Sequence, residues 1–275
     1  MTSNELKLSF NDLFKETFTY KLLRVMAGES IPALSLVGEI GHNLVKSFKL
    51  IISGKIHWKN SIEQMAFLGI DALFITLTLT AVAGMIIALQ VSYEMAKQGA
   101  GAYIGMLVAL VIVRELGPVM ASFAVTSMIG SAMSAEIATM KVTEQIDAMK
   151  VFGVDPIYYL IVPRVIAGIT MVPLLVILGN VLGILGGMVI SNLIADINML
   201  NYLDSVWSGL KTKDVLVSVF KGAVFGCLIT LISSSVGYAT RGGAKEVGQA
   251  TTTAVVWSFL ALVIFDYLIS LIFFV

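Results

Sequence analysis

Five stretches of this sequence run for more than twenty residues with almost no charged side chain. Between Asp71 and Glu94 lie 22 uncharged residues, which as an α-helix would span about 33 Å, enough to cross the hydrocarbon core of a bilayer. The other stretches cover roughly residues 98–135, 165–195, 214–240 and 247–275. Charged residues make up 13% of the chain, about half the share of a typical soluble domain. We therefore predict an all-α integral membrane protein with five transmembrane helices.

The second stretch, residues 98–135, is too long for a simple perpendicular span. Its 38 residues would extend about 57 Å as a helix, so we expect its end near Glu136 to project into the cytoplasm. Gly117 and Pro118 would permit a kink. Arg114 would lie near the middle of the membrane, where a charge costs at least about 2.5–3.5 kcal/mol.

The basic residues predict the orientation, because cytoplasmic loops carry an excess of Lys and Arg. With the N-terminus inside, thirteen basic residues fall on the cytoplasmic side and three fall outside. The three are Lys97, Lys211 and Lys213. We therefore expect a cytoplasmic N-terminus and a C-terminus on the opposite side.

Residues 1–65 differ from the five-span region, residues 66–275. Apolar residues recur there at helical spacing between charged ones, which predicts an amphipathic helix on the cytoplasmic membrane surface. These apolar residues are Phe10, Leu13, Phe14, Phe18, Leu22 and Val25. The stretch IPALSLVGEIGHNLVKSFKLII that follows carries Glu39, His42, Lys46 and Lys49, which favours an interfacial or shallow segment. A sixth span in this stretch is the alternative, and it would reverse the placement of the N-terminus.

A compact polar segment, MKVTEQIDAMKVFGVDP at residues 140–156, separates the second and third stretches. Thr143 is a candidate N-cap for a short helix that Gly153 would end and Pro156 would prevent from continuing. One apolar stripe at positions i, i+4 and i+7 comprises Val142, Ile146 and Met149. The segment is therefore either an ordinary connector on the lipid headgroups or a docking element for a soluble partner.

Two long motifs resemble the MlaE (YrbE-type) permease family, the membrane subunits of ABC transporters that work with MCE-domain lipid-binding proteins. The first is RELGPVMASFAVTSMIGSAMSAEIATMKVTEQIDAMKVFGVDPIYYLIVPRVIAG, residues 114–168, and the second is GGAKEVGQATTTAVVWS, residues 242–258. Weaker similarity extends from about residue 65 to the end. The resemblance implies an interfacial N-terminal helix, five transmembrane helices and a cytoplasmic coupling helix at about residues 143–152.

The resemblance also implies the partners and the location. The permease would form a homodimer in a bacterial cell inner membrane, with a cytoplasmic ATP-binding subunit dimer and a small STAS-type accessory subunit. A hexameric MCE-domain protein would dock on the periplasmic face, and phospholipid would be the cargo. No cofactor would bind to this chain, because ATP and Mg would belong to the partner ATPase. Nucleic acid is not an expected partner.

By the same resemblance, two groups of residues become candidate sites. The ATPase-coupling residues would be Thr143, Glu144, Gln145, Ile146, Asp147 and Met149. The lipid cavity between the two permease subunits would be bordered by Ile87, Gln90, Val91, Glu94 and Met95. Glu94 departs from the apolar side chain that we expect at this position. Simple helix packing or lipid exposure is the alternative for the second group.

Arg114 and Glu115 are the intramembrane charges that most require an explanation. Neighbouring residues on a helix point about 100° apart, so the two need not pair with each other. They would form either a polar cluster at the dimer cavity that responds to lipid or to conformational change, or structural ion pairs with Lys221 or Asp266 on other helices.

Glycines at four-residue spacing in GNVLGILGG, namely Gly179, Gly183 and Gly187, would allow helices to approach closely in a membrane. We predict packing within one subunit rather than at a dimer interface.

Three classes of function compete on the sequence. The chain has no G-x-x-x-x-G-K-[ST] phosphate loop, so an ABC-type permease would need a separate ATPase. The alternative is a proton-coupled secondary transporter that uses intramembrane charges, although five spans and no visible inverted repeat count against it. A lipid-modifying enzyme is disfavoured because no nucleophile elbow appears. No metal site is expected either, because Cys227, His42 and His57 are isolated in the sequence.

Overall fold

The computed structural model describes residues 36–274, which are almost entirely helical. In chain order the helices are α1 (36–52), α2 (Trp58–Lys97), α3 (Ile104–Val111), α4 (Gly117–Val125), α5 (Ser131–Val142), α6 (Gln145–Val151), α7 (Val162–Ala195), α8 (Met199–Gly209), α9 (Thr212–Ala239) and α10 (Ala244–Phe274). The predicted amphipathic helix at residues 10–25 lies outside the described residues.

Five helical segments of residues 36–274 are long and apolar enough to cross a membrane, which confirms the predicted number of spans. They are Trp58–Lys97, Gly101–Val142, Ile157–Ala195, Thr212–Ala239 and Ala244–Phe274. Helix α1 is not among these segments; it packs through Asn43, which donates a buried hydrogen bond of 3.0 Å to Ser235 Oγ on α9.

The second span is one 42-residue segment interrupted by π-helical turns at Ile112–Leu116 and Thr126–Gly130. In the first turn the Gly117 amide donates to the Ile112 carbonyl, one residue further back than in an α-helix. Pro118 follows at the start of α4 and has no amide hydrogen to offer the carbonyl of Arg114, four residues earlier. The predicted irregularity near Gly117 and Pro118 therefore takes the form of a π turn.

Helices α2 and α7 run parallel and meet along a seam of small residues. Facing positions differ by 99 in number along the whole seam: Thr80–Gly179, Gly84–Gly183, Ala88–Gly187 and Ser92–Ser191. Ser92 Oγ donates to Ser191 Oγ over 3.1 Å at one end. Because small residues let two backbones approach closely, this seam sets the distance between the first and third spans. The prediction that the glycines pack within one subunit is confirmed.

Helix α9 packs antiparallel to α7 and closes the core. Gly226 lies against Gly168, and Gly222 lies against the backbone of Pro173. The core between the spans is filled by buried apolar side chains, which include Leu68, Ala121, Val125, Val172, Phe225 and Ile229.

The bundle has two distinct ends. The connector end carries α6 together with α1, whose Lys46 pairs with Asp155 over 2.8 Å. The far end carries α8, whose Tyr202 is fully buried beside Ile104 and Val108.

We expect Gly84→Ala to destabilise the protein, because an added Cβ would overlap the backbone of Gly183. Overpacking of this kind costs about 1–3 kcal/mol, and it should lower the midpoint of thermal unfolding in detergent by about 2–4 °C per kcal/mol. Gly41→Ala is the matched control, since a Cβ at Gly41 in α1 meets nothing within 4 Å. A Gly84→Ala protein that melts with or above the Gly41→Ala protein would contradict the close packing of the seam.

Candidate functional site

A cluster of charged side chains joins the second, fourth and fifth spans at the far end. We call it the far-end charge cluster; it consists of Arg114, Glu115, Asp214, Lys221 and Asp266. Arg114 and Glu115 stand in the π turn of the second span and point to different partners. Such turns are frequent at functional sites, because they redirect side chains within a helix.

Lys221 on α9 is the centre of the cluster and is fully buried. Its ammonium lies 2.8 Å from Glu115 Oε2, 2.7 Å from Asp266 Oδ1 and 2.7 Å from Ser270 Oγ. It also donates to the Arg114 carbonyl over 2.7 Å. This is the carbonyl that Pro118 leaves without an amide partner. One ammonium therefore pairs with two carboxylates and provides a donor for the backbone carbonyl left free in the second span.

Arg114 forms the other half of the cluster. Its Nε donates to Asp214 Oδ1 over 2.9 Å, and its guanidinium lies 4.5 Å from the centre of the Phe274 ring. Asp214 is buried, and its second oxygen accepts the Lys211 amide over 2.9 Å. Because Asp214 belongs to the first turn of α9, the sequence alone would assign it to helix capping. Its partner comes from 100 residues away in the sequence, so spacing could not identify the pair.

The geometry answers one expectation. Arg114 lies level with the far ends of α9 and α10, where it meets Asp214 and Phe274; its depth in the membrane stays a prediction. Glu115 and Asp266 each form an ion pair with Lys221, in agreement with the ion-pair interpretation of Glu115. Whether the cluster also responds to lipid stays a prediction.

The residues predicted to border a lipid cavity form one stripe at the far end of α2. Ile87, Val91 and Met95 are half-buried and pack towards Ile104, Val108 and Tyr202, whereas Gln90 and Glu94 are exposed. Glu94 makes only a loose pair of 4.0 Å with Lys97. The stripe thus presents polar groups beside a packed apolar face, and its role in lipid binding stays a prediction.

The short helix α6 at the connector end begins later than predicted. Thr143 is not its N-cap: it ends α5, where its Oγ1 donates to the Thr139 carbonyl over 2.8 Å. Helix α5 continues to this point, and Glu144 reverses the chain with a left-handed φ of 60° before α6 starts. The predicted stop at Gly153 is confirmed, with a φ of 76° and the Val154 amide bonded to the Met149 carbonyl.

The apolar stripe of α6 faces its own bundle. Ile146 is fully buried between Ile137 of α5 and Leu160, with Met149 and Tyr238 packed around them. The stripe therefore fixes the helix to the second and third spans.

Asp147 connects α6 to the end of α5. It pairs with Lys141 of α5 over 2.9 Å and, within α6, with Lys150 over 3.1 Å. The hydrogen bond from Lys141, followed by that from Lys150, lowers the pKa of the Asp147 carboxyl. A carboxyl whose pKa is lowered by folding adds stability above its unfolded pKa of about 3.9 and loses that stability as the pH falls through the folded pKa. The ion pairs of Asp147 therefore contribute their full stability at neutral pH.

Residues at both ends of α6 are exposed. Thr143, Glu144 and Gln145 are exposed at the start. At the end, Val151 is 86% exposed and Phe152 is 83% exposed. The sequence reasoning missed these two residues, although they follow the predicted stripe directly.

Arg164 is a second buried charge that the sequence reasoning missed. It donates to Glu136 Oε2 over 2.6 Å and to the Leu160 carbonyl over 2.9 Å. Arg164 therefore ties the second span to the third close to α6. Its position directly before the third uncharged stretch was the feature of the sequence that could have identified it.

Comparison with known proteins gives consistent matches. The family model described as Permease MlaE matches residues 61–272. The "Probable ABC transporter permease protein slr1045" of Synechocystis sp. is 41% identical over 240 residues, which cover 87% of this chain and 89% of that protein. A "Probable ABC transporter permease protein" of Rickettsia felis is 40% identical, over 82% of this chain and 86% of that protein. "Protein TRIGALACTOSYLDIACYLGLYCEROL 1, chloroplastic" of Arabidopsis thaliana is 39% identical, over 82% of this chain and 64% of that protein.

We expect Lys221→Met to destabilise the protein by about 1–3 kcal/mol, because it leaves the partly buried Asp266 carboxylate and the Arg114 carbonyl without their donor. Thermal unfolding in detergent measures the change. The control is Lys59→Met, an exposed lysine at the start of α2, which should change stability by about 0.5 kcal/mol or less. Removing the opposing charges as well, in Lys221→Met with Asp266→Asn and Glu115→Gln, should recover part of the loss. A Lys221→Met protein as stable as the control would show that the cluster does not hold the far end together.

Proposed function

This chain belongs to the MlaE permease family, and on that premise we propose that it is the subunit of an ABC transporter that moves phospholipid between the membrane and a carrier protein. The chain is an ABC transporter permease with five apolar helices. The name of the Arabidopsis relative contains a glycerolipid, which supports a lipid as the cargo of this chain. The carrier would be a periplasmic MCE-domain protein of six subunits, facing the far end.

In our proposal the connector end faces the cytoplasm of a bacterial cell and the C-terminus faces the periplasm. The excess of Lys and Arg at the connector end supports this orientation. A homodimer of this chain would carry a dimer of ATP-binding subunits there, with a small STAS-type subunit as an accessory. ATP and Mg would bind to the ATPase, and this chain would contribute no catalytic residue.

The observation that carries the proposal is the attachment of α6 to the second and third spans. Ile146 is buried against Ile137 and Leu160, and Asp147 pairs with Lys141 at the end of α5, so a force on α6 would pass directly into the second and third spans. Val151 and Phe152 project from the same helix and are exposed. We therefore assign the ATPase contact to the exposed ends of α6, with Thr143, Glu144 and Gln145 at one end and Val151 and Phe152 at the other.

This assignment divides the residues predicted for ATPase coupling into two groups. Thr143, Glu144 and Gln145 would touch the partner directly. The remaining residues, Ile146, Asp147 and Met149, would transmit its movement to the bundle.

A proton-coupled transporter is the second candidate, and one observation favours it. The half-exposed Glu115 shares Lys221 with Asp266, so a proton on either carboxyl would change the charge balance of the cluster. The separate ATPase distinguishes the two candidates.

We expect Phe152→Ala to weaken association with the ATPase at least about tenfold, since a buried aromatic residue at the centre of an interface contributes about 2 kcal/mol or more. Co-purification of the ATPase with the tagged chain measures the effect. Phe74→Ala is the matched control, because Phe74 on α2 is 82% exposed, close to the 83% of Phe152. Equal recovery of the ATPase with both variants would exclude Phe152 from the contact.

The proposal as a whole is tested by purifying the tagged chain from its native membrane and identifying the accompanying proteins and lipids by mass spectrometry. We expect an ATP-binding subunit, an MCE-domain protein and phospholipid. Glu144→Lys combined with Asp147→Lys should release the ATPase and leave the lipid bound. A chain recovered without an ATP-binding subunit would favour the proton-coupled alternative.

A further inference from the structure

An apolar cavity opens on the side of the bundle between α7, α8 and α9. We call it the flank cavity; it has a volume of about 430 Å³. Its walls include Val181 and Ile184 of α7, Leu203 and Trp207 of α8, and Val215 of α9. The flank cavity is separate from the stripe on α2, since none of the described residues that line it belongs to α2.

We propose that the flank cavity binds one hydrocarbon chain of a membrane phospholipid. The size falls within the range of about 300–1,000 Å³ that is usual for ligand cavities. Among the residues that the structure shows lining it, Asn180 is the one polar side chain; its amide nitrogen donates to Ser218 Oγ over 2.9 Å, and its amide oxygen is buried without a partner among the described residues. Cavities lined by aliphatic side chains stay dry and accept apolar molecules. A hydrocarbon chain is therefore the ligand whose chemistry matches these walls.

The position of the flank cavity specifies a lipid rather than a soluble apolar molecule. It lies between two segments long and apolar enough to span the membrane, Ile157–Ala195 and Thr212–Ala239. Val181 at its mouth is 51% exposed, so the mouth opens sideways, where a bilayer presents acyl chains. A chain could enter from the bilayer without crossing water.

The rim at the far end matches the headgroup of a phospholipid. Trp207 is exposed there on α8, and tryptophan prefers the boundary between hydrocarbon and water. The opposite face of α8 is polar and borders a groove with Asp204 and Ser208. Lys211 directly follows Leu210, which lines the cavity, and is exposed. A phosphate at this level would meet a basic side chain while its acyl chain lies between the helices.

The bound chain would touch the part of the second span that carries the far-end charge cluster. Val113, in the same π turn as Arg114, lines the flank cavity. Val215 lines it as well and follows Asp214, the partner of Arg114. Asn180 lies against Gly117 at the end of the π turn. Two lining residues of the flank cavity, Val113 and Val215, are therefore direct sequence neighbours of the paired Arg114 and Asp214.

The role of this lipid rests on the proposed function, whereas its binding does not. In the transporter, the flank cavity would hold a phospholipid beside the π turn before transfer at the far end. Binding is therefore tested on the full chain in nanodiscs, with no ATPase and no ATP. Transport is measured separately.

The probe is a phosphatidylglycerol with a photoactivatable diazirine in one acyl chain, and adducts are located by mass spectrometry. We expect adducts concentrated on the walls of the flank cavity, at Val181, Ile184 and Trp207. Val181→Trp should fill the mouth and reduce these adducts about tenfold, as expected for a loss of about 1.4 kcal/mol of binding. Val189→Trp is the matched control, because Val189 lies two turns further along α7, is 45% exposed and does not line the cavity.

Thermal unfolding of both variants separates loss of the site from loss of the fold. Ile184→Trp, which fills the cavity from its wall, gives a second route to the same result if Val181→Trp is unstable. Adducts spread evenly over the exposed faces of α2, α7 and α10 would overturn the proposal and indicate ordinary bilayer contact. Adducts in the flank cavity of a chain that shows no ATP-driven transport would refute the proposed function and leave the site in place.

Discussion

The burial of the Lys221 ammonium is the interaction on which the far end of this protein depends. A charge removed from water costs several kcal/mol unless opposite charges and hydrogen-bond acceptors surround it. Here Glu115 and Asp266 provide the charge, and the carbonyl freed by Pro118 provides a backbone acceptor. One side chain therefore fixes the π turn of the second span to the fourth and fifth spans. The irregular backbone is tolerated at this depth because it is satisfied within the protein.

The second span connects this cluster with the opposite end of the molecule. Its far end holds Arg114 and Glu115, and its other end, α5, holds Ile137 against Ile146 of α6 and Glu136 against Arg164. The first π turn holds Arg114 and Glu115 themselves, and the second, Thr126–Gly130, interrupts the helix between these points. A movement of α6 would reach the far end through this one segment, while the small-residue seam keeps the first and third spans together. The flank cavity adjoins the same segment through Val113.

The sequence was sufficient for the features that depend on composition and local spacing. Uncharged stretches located the five spans, the spacing of Gly179, Gly183 and Gly187 identified the seam, and Gly153 marked the end of α6. The pairing of Arg114 with Asp214 could not be predicted, because it joins residues 100 positions apart whose own neighbours suggest helix capping. Thr143 was misassigned because a capping residue looks the same whether one helix ends or the next begins. The π turns left no pattern in the sequence beyond the Gly117–Pro118 pair.

The central claim is that lipid movement by this chain is driven by ATP hydrolysis on a separate subunit. Its most direct test is transfer of a fluorescent phospholipid out of proteoliposomes that contain the co-purified complex. We predict transfer that requires ATP and the ATPase subunit and that continues at the same rate when an ionophore collapses the proton gradient. Transfer by the chain alone, without ATP and in proportion to an imposed proton gradient, would contradict the account.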